Sequence, residues 1–385
     1  MKGMKFIIFI LLMIILTSYI PCNALEETEI EDIKATIETI YNKRNETFIT
    51  GKISELPQYY NNTKFGTWAL EHEVKRIKYL RKWSDERDIK FTSIVSDLQY
   101  RKITPYKTGA KVSLNEYYKF DYLYKNEDNA EINSFGVGVI HSIELAKINN
   151  KWIINWDWYT DCFEDALKGF NAEIKDITEV YSKIYSIPPL EKPNILNLEN
   201  TSENQRRIKA VNYADKYCGI VWASNNPSKY NKKYKNYTGI GGNCTNYVSQ
   251  CLGDKQEGAA LKQQGGWHCN YSKYGQAEGS PAWVNADAFK NYLFYSGKGK
   301  LIKKGSFKSF IPKEGSGENI FSRLDYGDVI CYAKGSDIDH FAIVTGFDSR
   351  GYPLINSHTT DRYRVPFDLG WGDKNISFYL IKIRY

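Results

Sequence analysis

The sequence predicts an α+β protein made of two successive units, and three observations carry that reading. Helix-spaced apolar residues occupy two segments near the start, and four segments of alternating apolar and polar residues follow them. A Pro- and Asn-rich stretch at 187–204 then interrupts all periodicity. Beyond it, a glycine-rich approach leads into a cysteine-bearing helix that precedes three more strand segments. A length of 385 residues fits two domains of ordinary size. With 42% apolar and 25% charged residues, the chain can bury ordinary cores, and neither disorder nor a fibrous repeat describes it.

From the start, Lys2 and Lys5, the apolar run Phe6 to Leu16 and the more polar stretch to Cys22 and Ala24 follow the three-part plan of a secretory signal peptide. Residues 1–24 are therefore set apart as a signal, and the expected localisation is secreted or wall-associated, with no stable membrane span after cleavage. A retained anchor is the competing reading, but the apolar run is short for a bilayer. Pro21 before Cys22 argues against lipidation. The net charge of +7 is mild, and its basic residues are scattered among acids without a nucleic-acid-binding signature. Nucleic acid is not an expected partner; a polyanionic wall surface suits this charge. Export would leave six cysteines, an even number that invites disulfides, but they are widely spaced and a chain of this size needs no staples.

In the first unit, Ile30, Ile33, Ile37, Ile40 and Tyr41 recur at helical spacing, and a second helix is expected over Trp68 to Trp83. Strands are expected over Phe91 to Leu98, Ala110 to Phe120, Ile132 to Ala146 and Lys151 to Trp158, divided by polar turns at Lys125 to Asn129 and Asn149-Asn150. Helices packed on a curved antiparallel sheet over 25–165 follow, and the pattern resembles the cystatin-like or NTF2-like cone. Trp152, Trp156, Trp158 and Tyr159 alternate along the last strand and read as sheet core rather than as a ligand cavity. His72 and His141 have no Cys or acid pattern around them and read as structural. A further helix is expected over Phe163 to Tyr185, so 166–205 is read as a helix and linker.

The second unit, 206–385, opens with a helix over Arg206 to Tyr217 and then presents the segment Gly239-Ile240-Gly241-Gly242-Asn243-Cys244-Thr245-Asn246-Tyr247-Val248-Ser249-Gln250-Cys251-Leu252. Glycines allow a tight approach to a helix whose first turn carries Cys244. The positive end of the helix dipole there favours thiolate, the nucleophilic form of cysteine. Cys251, two turns on, reads as a small buried hydrophobe. Strands over Leu324 to Ala333, Asp339 to Gly346 and Tyr352 to Thr359 bring His340 toward the Cys helix. If paired residue numbers on the last two strands add to an even value, His340 shares a face with Asn356 and His358, either of which would orient the imidazole. Cys244 would then attack a carbonyl, His340 would take its proton and return it to the leaving amine, and backbone N–H groups at the start of the helix would hold the oxyanion.

The segments Gly241 to Leu252, Ser280-Pro281-Ala282-Trp283-Val284 with Phe289 to Leu293, Gly327 to Ile330, His340 to Gly346 and Asn356 to Tyr363 resemble the putative amidase domain of secreted bacterial proteins. That family is a branch of the papain-like superfamily that includes NlpC-type and CHAP cell-wall hydrolases. The resemblance covers about residues 206–385 and implies a Cys–His–polar site acting on peptidoglycan amide bonds, with the stem peptide as partner and no cofactor. Asn243 stands where the family commonly has Asp. NlpC-type enzymes also place a Tyr upstream of the nucleophile near the oxyanion site, and Tyr234 is the candidate here, with Tyr230 and Tyr237 close beside it. Trp267 and Trp283, with Tyr292, would either wall the cleft, holding glycan or stem peptide, or belong to the core. His268 and Cys269 are adjacent and no Cys-x-x-Cys occurs, so no metal site is expected. Two other activities share these residues: a catalytically silent wall-binding protein, and an acyl transferase that resolves the same thioester with an amine.

Overall fold

The computed structural model describes residues 22–385 apart from 126, 128, 186–187, 193, 272–274, 313–318 and 373–374. The expected signal segment lies outside the described residues but for its last three, which begin the first helix. No described helix is long and apolar enough to cross a membrane.

The first unit is two helices laid on a four-stranded antiparallel sheet. Helix α1 spans Cys22–Thr50 and α2 spans Lys64–Glu86, the latter capped by the Thr63 hydroxyl, which accepts from the Gly66 amide at 3.2 Å. Strands β1 (Ile89–Tyr106), β2 (Gly109–Tyr124), β3 (Asn133–Ile148) and β4 (Lys151–Tyr159) pair in sequence order. Asn149 and Asn150, at φ 49° and 60°, supply the left-handed two-residue turn between β3 and β4. The helical stripe Ile33, Ile37, Ile40 and Tyr41 and the α2 residues Val74, Ile77, Leu80 and Trp83 are buried against the sheet.

Two expectations fail in this unit. Helix is confined to Glu164–Leu167 within the segment expected to be helical through Tyr185. The rest runs as a strap whose amides bond to other elements: Ile177 donates to the Gly51 carbonyl, Tyr181 to Asp85, and Tyr185 to the carbonyl of Glu86 at the end of α2. Those acceptors include helix-terminal carbonyls that have no intrahelical donor, so the strap satisfies them at the cost of its own helix. Trp156 and Trp158, expected in the core with Trp152 and Tyr159, instead face solvent, at 36% and 57% exposure. A bulge at Asn155, between the pairs Glu144↔Trp156 and Leu145↔Ile154, reverses the alternation of β4.

The two histidines of this unit are structural, but not for want of acids. His141 is buried between Glu116 on its Nε2 (2.9 Å) and Asp157 on its Nδ1 (2.8 Å), and His72 meets Asp161 at 3.0 Å. Glu116 and Asp157 come from the strands on either side of His141, and Asp161 lies just past β4, so none of these partners is visible in the linear sequence. Burial opposes the charge on His141, but Asp157 and Glu116 outweigh it and raise the pKa to about 9. Unfolded histidine titrates near 6.5. Its contribution to stability is thus complete below about pH 6.5 and is lost as pH rises through about 9. Thermal melts of the protein are expected to show this decline, and His141→Gln to flatten it while costing about 3–5 kcal/mol at pH 6.

The second unit continues the same sheet. Strands β5 (Gly299–Gly305), β6 (Val329–Lys334), β7 (Asp337–Phe347), β8 (Pro353–Ser357), β9 (Asp361–Pro366) and β10 (Ile376–Ile383) extend it in the order β1-β2-β3-β9-β8-β7-β6-β10-β5, ten strands in all with β4 also on β3. The junction is β9 on the start of β3, where Asp361, Arg362 and Tyr363 pair Gly138, Val137 and Gly136. Side chains at the two glycines would collide: a Cβ on Gly136 would lie 2.7 Å from the Trp222 ring, and one on Gly138 3.0 Å from Ile220. Polar ties reinforce the junction. Asp368 accepts from Trp83 and Arg87, Asp348 accepts from Tyr122 and Tyr124, and Arg362 donates to the Cys162 carbonyl at 2.7 Å.

One face of this second half of the sheet is covered by α3 (Ser202–Lys216), α4 (Cys244–Gly253) and α5 (Ala286–Tyr295). Val329, Cys331, Phe341 and Ile343 point into that layer. The other face, with Tyr332, Ala342, Val344 and Tyr352, merges with the core of the first unit. The sheet thus has a helix side and an inter-unit side. Cys162, Cys218, Cys244, Cys251, Cys269 and Cys331 are buried free thiols, so the fold uses none of the disulfides that an even count invites.

Candidate active site

The approach to α4 is built from glycines held at positive φ, 99° at Gly241 and 100° at Gly242, which side chains rarely adopt. The next residue, Asn243, anchors the turn. Its amide donates to the Thr359 hydroxyl (2.9 Å), and its side-chain oxygen accepts from the Tyr237 amide (3.1 Å) and from Asn246 (2.8 Å). Its side-chain nitrogen donates to His358 Nδ1 at 2.9 Å, and His358 Nε2 donates to the Tyr217 carbonyl at 2.6 Å. The His358 ring is stacked on Tyr247 with centroids 3.8 Å apart. Burial drives its pKa down to about 3, against the pull of the Tyr217 carbonyl, so this imidazole is neutral and fully engaged at physiological pH. It is a strut under the Cys turn.

Cys244 follows at the first position of α4, whose whole length is buried. Burial raises its thiol pKa; the Phe341 amide and the Thr245 hydroxyl and amide offset this only in part, and Asp339 adds to it. Desolvation thus opposes the thiolate that the helix dipole is expected to favour.

His340 sits on β7 beside a bulge, where Tyr332↔His340 is followed by Ala333↔Ile338 and Asp339 is extra. Its ring lies 5.5 Å from those of both Tyr332 and Trp371, and its Nε2 is buried without a hydrogen-bond partner. Burial, then the charges of Arg362 and Lys334, push the pKa well below the usual histidine value, which leaves a neutral base at neutral pH. It lines a cleft of about 310 Å³ whose walls come from both units, Asp161, Glu164 and Asp165 on one side and Thr359, Arg362 and Trp371 on the other. Cys244 is not among the lining residues and does not hydrogen-bond to His340. Its sulfur touches the same strand one residue further on, at the Phe341 amide.

The third-residue candidates are corrected by register. The even sum of Leu354↔Gly346 becomes odd at Asn356↔Ile343 across a bulge at Thr345, so Asn356 faces the helix side and His340 the inter-unit side. Asn356 accepts from Thr345 (2.8 Å) and the Arg364 amide (2.7 Å) and donates to Asp215 (2.9 Å); neither it nor His358 contacts His340. Tyr234 donates to Asp254 at the far end of α4, roughly 15 Å of helix from Cys244, and is no oxyanion donor. Trp267 and Trp283 are core: fully buried, 4.9 Å apart, donating to Ser249 and Asn246. With Asn246, Trp283 does steady Asn243 from below. Sequence reasoning missed Arg362, Trp371 and the Asp161–Asp165 wall, because they meet His340 only through the inter-unit packing.

The strut predicts a specific rescue. His358→Ala is expected to loosen the Cys turn and slow acylation of Cys244 by up to about a hundredfold, the loss that a misplacement of about 1 Å can cause. His358→Gln can still donate to Tyr217 and accept from Asn243, and should recover most of that loss without changing the pH profile between pH 5 and 9. An acid limb that moves in either variant would show that His358 titrates in the reaction.

With this geometry in place, comparison with known proteins adds the following. Residues 204–381 match the family model described as "Putative amidase domain". Two curated relatives, both from Bacillus subtilis (strain 168), are similar to the chain. The uncharacterized protein YhbB is 31% identical over 185 residues, 46% of this chain and 48% of the relative. The uncharacterized protein YjcM is 26% identical over 234 residues, 57% of this chain and 48% of the relative. The chain spans about half the length of the curated relatives it matches. Among solved structures, the intermembrane space region of chloroplast protein ARC6 aligns at 14% identity and TM-score 0.23, covering 32% of this chain and 94% of its own. A structure titled as a putative NTF2-like transpeptidase from Campylobacter jejuni aligns at 15% and 0.17, covering 31% and 95%. At such TM-scores these alignments carry no argument, and the α+β class rests on the elements themselves. What the family match supports is a putative amidase domain over residues 204–381.

Proposed function

We propose that the protein is a secreted cysteine amidase or peptidase that cleaves amide bonds in bacterial cell-wall peptide. One observation carries the chemistry: within an amidase-family domain, the sulfur of Cys244, at the start of a helix, lies on the backbone of the strand that holds His340. Cys244 is the nucleophile. His340 is the base, neutral and lining a cleft of about 310 Å³. Cys244 lies on the helix side of the sheet and His340 on the inter-unit side, so attack requires a rearrangement at the Asp339 bulge that brings the imidazole to the sulfur as substrate binds. The Cys244 amide at the helix start is the donor for the developing oxyanion. Muropeptides incubated with the protein and with Cys244→Ala are expected to differ by new amine ends in mass spectra.

A second reading has its own support. The absence of a Cys244–His340 hydrogen bond, with both groups neutral, is what a catalytically silent wall-binding protein would show. Equal retention on sacculi by wild type and Cys244→Ala, with no new amine ends in either, would select it. Transfer of the acyl group to an added amine in place of water would instead mark an acyl transferase.

A further inference from the structure

The first unit carries a second recess, about 310 Å³, between the start of α2 and the outer face of β4. Its rim is aromatic and open to solvent: Phe65 and Trp68 are 51% and 52% exposed, Trp158 57% and Trp156 36%. Phe65 and Trp68 meet edge to face at 5.5 Å, so their faces are presented in different directions. Four large rings exposed within one recess are a costly arrangement for a free surface and mark an interaction site. The β4 bulge at Asn155 is what turns two of them outward.

The floor tells against an apolar partner. It includes the exposed Glu164 carboxylate and the half-buried His72, which a greasy surface would strip of water without repayment, whereas Asp157 beside them is already held by His141 and Tyr41. Flat ring faces beside carboxylates and an imidazole suit a ligand with apolar C–H faces and a hydroxylated edge, which is the chemistry of a pyranose sugar. The recess also adjoins the cleft of His340. Glu164 lines both, and His72 on the recess side holds Asp161 on the cleft side at 3.0 Å. A ligand spanning the two would carry sugar at one end and peptide at the other.

We propose that this recess is a saccharide subsite that seats the glycan of a glycopeptide substrate while the peptide enters the His340 cleft. The proposal deepens the cell-wall reading and rests on it for the source of the glycan, but the binding step needs no catalysis. The test uses full-length Cys244→Ala protein, with peptide-free glycan strands and N-acetylglucosamine oligomers as probes and tryptophan fluorescence as readout. Quenching that saturates is expected, with Kd raised tenfold or more by Trp158→Ala or Trp68→Ala and largely kept by Trp158→Phe. Both positions are exposed, and unchanged melting temperatures would show the variants folded. Saturable binding that none of the substitutions weakens would overturn the subsite, as would no binding to either sugar probe alongside retention of free stem peptide or of a protein partner. Active wild type with no glycan binding sinks the subsite alone; glycan binding without amide cleavage sinks the hydrolase reading alone.

Discussion

Cys244→Ala is expected to abolish amide cleavage and leave the protein folded. The magnitude follows from what remains: with the nucleophile gone, binding and oxyanion contacts still act on the substrate, but the covalent route closes. In enzymes of this design that loss is on the order of 10⁴–10⁶ in kcat. Stability should fall by no more than roughly 1 kcal/mol, the cost of removing one buried sulfur that only Thr245 and the Phe341 amide hold. Cys251 provides the matched control. It is equally buried on the same helix, packed among Val248, Leu252 and the sheet, so Cys251→Ala should cost roughly 1 kcal/mol of stability and no chemistry. Muropeptide digestion by the three proteins, read by mass spectrometry together with thermal melts, separates the roles. Cleavage that survives in Cys244→Ala would remove this residue from the mechanism.

What the sequence reveals and conceals follows from the range of the interactions concerned. The helices at Ile33–Tyr41 and around Val74–Trp83, the hairpins and the Cys244 helix are written in local periodicity and turn residues, and all are present in the structure. The failures share one cause. A single extra residue at Asn155, at Asp339 or at Thr345 reverses which side of a strand faces the core, and none of the three is marked by glycine or proline. Those bulges expose Trp158, stand beside His340 and part Asn356 from it. The strap after Leu167 has helical spacing at Phe170, Ile174, Ile177 and Tyr181, but its amides are claimed by the ends of α1 and α2. The acids flanking His141 and the Asp161–Asp165 wall of the cleft become visible only when distant strands are paired. The parts of the candidate site that the sequence singles out, Cys244 and His340, are those whose proposed chemistry depends on residue type and a local turn.

The resting protonation of that pair gives the second large effect. Burial raises the Cys244 thiol and lowers the His340 imidazole, so both are neutral at pH 7 and no thiolate–imidazolium pair forms in the free protein. A group held as thiol reacts only through its thiolate fraction, which grows about tenfold per pH unit below the pKa. Alkylation of Cys244 by iodoacetamide is therefore expected to be slow at pH 7 and to climb steadily beyond pH 9, followed by mass spectrometry of the labelled peptide. A preformed ion pair would give the opposite, a high and nearly flat rate from pH 5 to 8. Substitution of the base then divides the two steps. His340→Gln should leave the alkylation profile where it was, because no hydrogen bond joins the ring to the sulfur in the free state. Turnover should nonetheless fall by 10²–10⁴, about the contribution of a positioned general base, because bound substrate must bring the proton acceptor to the thiol. Since the imidazole stays neutral well below the ordinary histidine range, the acid limb of kcat/KM assigned to it should lie below pH 6.5 and vanish in His340→Gln. An alkylation rate that drops with His340→Gln at pH 7 would mean that the ring already contacts the sulfur in the free protein, and that its placement in the cleft is not the dominant state in solution.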